Sequence, residues 1–124
     1  MGETFYQRVG GEAFFVDLVD AFYAAVEADP VLRPMYPEDL ADSRRHLALF
    51  LIQYWGGPRT YQDERGHPRL RMRHAPFAVT AEARDRWLGA MTAALGTVRD
   101  RLDEADYLEL RDYLAASAGQ LRNA

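Results

Sequence analysis

The chain has 124 residues and a net charge of −4, with 48% hydrophobic, 12% aromatic and 27% charged residues, a size and balance that suit one domain and exclude disorder and collagen-like repeats. Cysteine is absent, which excludes a disulfide framework, a thiol nucleophile, a Cys-ligated zinc and haem attached through C-x-x-C-H. No apolar run reaches the ~18 residues of a spanning helix, the N-terminus lacks a signal pattern and the acidic balance argues against general nucleic-acid binding, so a soluble cytoplasmic domain over residues 1–124 is expected.

Four stretches carry helical periodicity. From Gly11 to Ala28, Phe14, Leu18, Phe22 and Val26 recur every four residues, with Phe15, Val19 and Tyr23 beside them. That pattern is a wide apolar stripe. Pro30 and Pro34 then leave room for only a helical turn before Tyr36 and Pro37. The second stretch runs from about Leu40 to Tyr54, with Leu40, Leu47, Phe50, Leu51 and Tyr54 on one face and Ser43 joining it by spacing. The third begins at Thr80, an N-cap with Glu82 in the first turn, and its stripe is Ala83, Trp87, Ala90, Met91, Ala94 and Val98. The fourth begins near Asp103 and carries Tyr107, Leu110, Leu114, Ala118 and Leu121. Together they suit a bundle or a globin-like stack.

Between the second and third stretches, Gly56 to Pro76 shows no helical period. An aperiodic segment of that length in a compact domain is usually functional or a misread. Arg59 to Arg73 holds five arginines against Asp63 and Glu64, a local excess of +3. Three readings stand: a solvated surface, an edge strand for nucleic acid, or a clamp for an anionic ligand near His74. All 15 basic residues are arginine, which a GC-rich codon bias accounts for without any function.

Of the three histidines, His67 between Gly66 and Pro68 reads as a turn residue. His46 sits about 100° round its helix from Leu47, at the edge of the buried face, where solvation or an anionic partner is favoured over metal ligation. His74 can be a structural histidine or a metal ligand. Zinc needs about three or four protein ligands; the chain has no His-x-x-x-His, and its single Glu-x-x-His, Glu64 and His67, supplies too few. Haem iron needs only one proximal histidine. Tyr23, Tyr36 and Trp87 lie on or beside apolar stripes, where packing is the ordinary role. Buried phenols and indoles nevertheless require hydrogen-bond partners, from one another or from a polar ligand, and Trp87 can only donate.

The strings Phe50-Leu51, Gln53-Tyr54-Trp55-Gly56-Gly57-Pro58-Arg59-Thr60-Tyr61 and Gly66-His67-Pro68-Arg69-Leu70-Arg71-Met72-Arg73-His74-Ala75-Pro76-Phe77 resemble the truncated haemoglobins. The closer likeness is to their second group, the oxygen-avid actinobacterial branch. Phe5-Tyr6, Gly10-Gly11, Phe22-Tyr23, Leu32, Tyr36-Pro37 and Trp87 extend the match over almost the whole chain. The resemblance implies an all-α, two-over-two helical sandwich around a non-covalent b-type haem, iron protoporphyrin IX. It also implies a much reduced first helix and a long proximal loop containing a short helix. By motif it implies His74 as the iron ligand, with Tyr23, Tyr36 and Trp87 on the distal side. Leu47 and Phe50 would then pack against the haem, and Arg73, His46 and Tyr61 would stand near its propionates. Ser43 takes the place where many globins carry a distal histidine, so the donors for bound oxygen are expected to be tyrosine and tryptophan.

The function this implies is reversible binding of O₂ and other diatomic ligands (NO, CO) at an open sixth position. Nitric-oxide dioxygenation, peroxidase-like turnover and gas sensing are the alternatives within the family. A small helical RNA- or protein-interaction domain is the remote one. Turnover would need a reductase, since no flavin- or nucleotide-binding motif is present in the chain. The macromolecular partners to look for are that reductase and a second copy of the chain; nucleic acid and membranes are not expected.

Overall fold

The computed structural model describes residues 2–67 and 79–122. Among them every regular element is helical. Helix α1 spans Phe5–Arg8, α2 Glu12–Ala28, α3 Ala41–Tyr54, α4 Thr60–Arg65, α5 Ala81–Val98 and α6 Glu104–Leu121, with 3₁₀ turns at Arg33–Met35 and Arg99–Arg101. Arg69, Arg71, Arg73 and His74 lie outside the described residues.

The helix starts are set by local chemistry. Thr4 and Gln7 close a reciprocal capping box on α1. The Thr80 hydroxyl accepts from Ala83 N at 3.1 Å, and the Asp103 carboxylate accepts from Asp106 N at 2.7 Å, each satisfying an amide with no partner inside its helix. At the end of α2, Asp29 Oδ1 accepts from Val31 N and Leu32 N at 2.8 and 3.1 Å, turning the chain into Arg33–Met35. Arg33 then donates to the carbonyls of Pro37 and Glu38 at 2.8 and 2.7 Å. Those bonds fix the extended stretch that carries Tyr36.

Helix α2 packs against α5 and α3, and α5 packs against α6, giving two helix pairs laid across one another. The core between them is the α2 stripe (Phe14, Phe15, Leu18, Val19, Phe22 and Val26) against Met91, Ala94, Leu95 and Val98 of α5 and Leu110 and Leu114 of α6. Helix α1 is clasped onto this frame. Tyr6 N donates to Trp55 O at 2.9 Å, and Arg8 pairs with the buried Asp106 carboxylate of α6 at 2.9 Å.

Thr60–Arg65 forms a short helix inside the stretch that lacks periodicity, as the resemblance implied; at six residues it is too short to repeat a 3.6-residue period. One expectation is corrected. Tyr54 is exposed rather than part of the buried face of α3, which consists of Ala48, Leu51 and Ile52. No described helix is long and apolar enough to cross a membrane.

Candidate functional site

A cavity of about 230 Å³ opens between α2, α3, α5 and α6. Its apolar wall is Phe22 of α2, Leu47, Phe50 and Leu51 of α3, and Leu114 and Leu121 of α6. Leu47 and Phe50 are half-buried. They stand one step round α3 from the packed Ala48–Leu51–Ile52 face, so one helix serves the core with one stripe and the cavity with the next.

At one end of the cavity stand Tyr23, Tyr36, Ser43 and Trp87. The Tyr23 and Tyr36 rings meet edge to face at 5.5 Å, and Phe22 packs between the two sides of this group, 5.0 Å from Tyr23 and 5.4 Å from Trp87. Trp87 lies beside the Tyr36 phenol and Ser43 beside the Tyr23 phenol, and each neighbour lowers that phenol's pKa against the effect of burial. Burial pushes the Tyr36 phenol up to about 12, with Trp87 opposing it. Burial raises the Tyr23 phenol further, helped by Tyr36 and opposed by Arg44 and Ser43. Both remain protonated donors at any physiological pH.

The other end is cationic. His46 and Arg65 line it together with Tyr61, whose ring sits 5.7 Å from Phe50 and 5.9 Å beneath the Arg65 guanidinium. Arg65 Nη1 and His46 Nδ1 are in hydrogen-bond contact. A guanidinium can only donate, so Nδ1 accepts and the imidazole proton sits on Nε2. Among the described residues His46 therefore has a cation as its neighbour. Burial, then Arg65, lowers its pKa. Next to this pair Arg45 grips both oxygens of Glu64, which lowers that carboxyl.

Eight residues expected at the site (Tyr23, Tyr36, Ser43, His46, Leu47, Phe50, Tyr61 and Trp87) thus line one cavity, while Arg73 and His74 lie outside the described residues. His67 sits exposed in a bend away from it. Arg65, Tyr113 and Ser117 also line the cavity and were not expected there. Tyr113 and Ser117 could have been found, since they lie four residues apart on α6. Arg65 was visible only as one of five arginines.

An apolar slot with hydroxyl and indole donors at one end and an imidazole–guanidinium pair at the other suits an amphiphilic ligand. Its body should be flat and apolar, its edge should carry carboxylates, and its other side should present a small polar group to the tyrosines and tryptophan. Haem has that chemistry, and the described residues fit it. Among the described residues no group of three His, Asp or Glu side chains could hold a bare metal ion.

Comparison with known proteins agrees with this chemistry. The bacterial-like globin family matches residues 4–119. The group 2 truncated haemoglobin YjbI of Bacillus subtilis is 45% identical over 101 residues, covering 79% of this chain and 76% of that protein. The thermostable haemoglobin of the actinobacterium Thermobifida fusca superposes with a TM-score of 0.95 at 52% identity, covering 98% of both chains. The haemoglobin of Chloroflexus aurantiacus does so with a TM-score of 0.95 at 48% identity, covering 99% of this chain and all of the other. With its helical sandwich and its donor-lined slot, the chain belongs to the bacterial-like globins, a haem-binding family, and within them to the group 2 truncated haemoglobins.

Proposed function

We propose that this globin holds a b-type haem through His74 and reversibly binds O₂, with NO and CO as further ligands. The observation that carries the reading is the convergence of Tyr23, Tyr36 and Trp87 on one end of the cavity. When bound, the haem supplies an iron centre with an open coordination position and the redox chemistry of that metal. The protein supplies a shaped, largely apolar slot and hydrogen-bond donors.

The donors act on a gas in the pocket through charge. With haem in place, a bound O₂ would be a better hydrogen-bond acceptor than CO, so an N–H or O–H aimed at it would hold O₂ selectively. Trp87 is suited to this because its indole can only donate, and the Tyr36 hydroxyl beside it can turn to serve a ligand as well. Raised phenol pKa values keep Tyr23 and Tyr36 protonated for the same purpose. At the opposite end His46 and Arg65 are the donors we assign to the haem carboxylates; Arg73, outside the described residues, is assigned there from the motif alone.

Stopped-flow dissociation of O₂ and CO from wild type and Trp87→Phe tests this. Losing a hydrogen bond worth about 1.5–3 kcal/mol in a dry pocket accelerates O₂ release roughly ten- to hundredfold, and CO release changes much less. Removal of buried volume lowers stability by ~1–3 kcal/mol in either case. Equal acceleration for both gases, or a change in melting temperature alone, removes the donor role.

A further inference from the structure

Tyr36 is the cavity aromatic with the least helix under it. Tyr23 and Trp87 stand within α2 and α5, whereas Tyr36 follows the three-residue turn Arg33–Met35 and lies in extended backbone, at φ −120° and ψ 156°. Pro37 after it favours that conformation. A proline restricts only its neighbour, however, and leaves the stretch as a whole free to swing. The direction of the Tyr36 ring therefore depends on what ties residues 36–38 back to the turn.

One side chain makes that tie. Arg33 Nη1 donates to the Pro37 carbonyl at 2.8 Å and approaches that of Tyr36 at 3.5 Å, while Nη2 donates to the Glu38 carbonyl at 2.7 Å. A planar guanidinium holds neighbouring carbonyls at a fixed angle, which the single point of an ammonium cannot do. The backbone closes the same loop, with Tyr36 N donating to Arg33 O at 3.2 Å. Asp29 seats the turn in its place. Its carbonyl accepts from Arg33 N at 2.9 Å, and its carboxylate holds the amides of Val31 and Leu32 and receives Arg86 Nη1 at 3.3 Å. Arg86 precedes Trp87 on α5, so the corner is anchored to the helix that carries a second donor. Pro37 and Glu38 are exposed, and water can replace the guanidinium at their carbonyls at little cost to global stability. Loss of the grip falls instead on the ring, which meets Tyr23 edge to face at 5.5 Å and lines the cavity with Trp87.

We propose that Arg33 is the positioning residue for Tyr36: by gripping the carbonyls that follow the turn it keeps the phenol aimed into the cavity, and so favours retention of O₂ over CO. This rests on the haem reading of the cavity and on Tyr36 as a donor there. Arg33 touches neither the haem nor the gas and acts only through the phenol.

The test uses haem-loaded protein, verified by its Soret band. Amide hydrogen exchange in residues 31–38 should quicken several-fold in Arg33→Ala, with α2 and α5 unchanged. Stopped-flow O₂ and CO dissociation is then measured for wild type, Arg33→Ala, Arg33→Lys, Tyr36→Phe and the double variant of Arg33→Ala with Tyr36→Phe. Arg33→Ala should release O₂ roughly two- to tenfold faster, the factor carried by one hydrogen bond of ordinary strength, and CO at almost the wild-type rate. Arg33→Lys should fall between wild type and Arg33→Ala. In the Tyr36→Phe background Arg33→Ala should speed O₂ release no further, because the two residues act as one unit. Unchanged exchange or unchanged O₂ release in Arg33→Ala, equal acceleration of both gases, or effects that add in the double variant each overturn the proposal. A purified protein without a Soret band overturns the haem reading itself, and the proposal with it.

Discussion

His46 and Arg65 meet at the cavity edge through a bond that only the neutral imidazole can accept. Burial first, and Arg65 second, hold the His46 pKa below its ordinary 6.5, with Asp42 and Glu64 opposing. In the unfolded chain the same histidine takes up a proton near 6.5 while the folded one does not. The unfolded state then binds more protons, and stability falls as pH drops below 6.5, levelling off beneath the folded pKa. Thermal melts of the haem-free chain at pH 7.5 and 5.5 should show that loss in wild type and a smaller loss in His46→Gln. An identical pH dependence in the two proteins would contradict it. The sequence put His46 at the edge of a buried face, but its partner comes from α4, 19 residues on, and nothing local in a sequence reports such a meeting.

Among the elements, the four long helices were legible because each repeats its apolar period several times and three of the flanking signals (Pro30, Thr80 and Asp103) act within a turn of the boundary. Helices α1 and α4, of four and six residues, offer periodicity too little to repeat. Helix α1 is held instead by its Thr4–Gln7 capping box and by contacts from afar. Tyr54 was misassigned because the stripe of Ser43, Leu47 and Phe50 does continue to it, but the cavity that this stripe lines ends a turn earlier. The joint between α3 and α1 is closely fitted. A Cβ on Gly57 would stand 2.6 Å from Ile52 Cγ2, 2.8 Å from Tyr6 Cδ2 and 2.9 Å from the Ile52 carbonyl, and that backbone oxygen cannot step aside. Gly57→Ala should therefore destabilise by about 1–3 kcal/mol. Gly89→Ala, in mid-α5 with nothing within 4 Å of the added atom, should stabilise by ~0.5–1 kcal/mol. Urea denaturation of both variants checks the contrast, and a neutral Gly57→Ala would mean that the joint is looser than its geometry.

For the molecule as a whole, composition and periodicity delivered an all-helical chain and a candidate group of polar aromatics, and the fold brings eight of the expected residues onto one cavity. Periodicity could not show that Tyr23, Tyr36, Ser43 and Trp87 come together, because they stand on four separate segments: α2, the stretch after Arg33–Met35, α3 and α5. The account's central claim is a haem held by one histidine, His74, in that cavity. Because haem binds the folded state, loading should also raise stability, by about 2.7 kcal/mol at a hundredfold excess over Kd. The most direct measurement is the ferrous absorption spectrum of freshly purified wild type beside His74→Ala, His46→Ala and His67→Ala. Wild type, His46→Ala and His67→Ala should share one histidine-ligated Soret spectrum, and His74→Ala should lose haem or lose that signature. A His74→Ala protein that keeps the histidine-ligated spectrum, with His46→Ala losing it, would contradict the account.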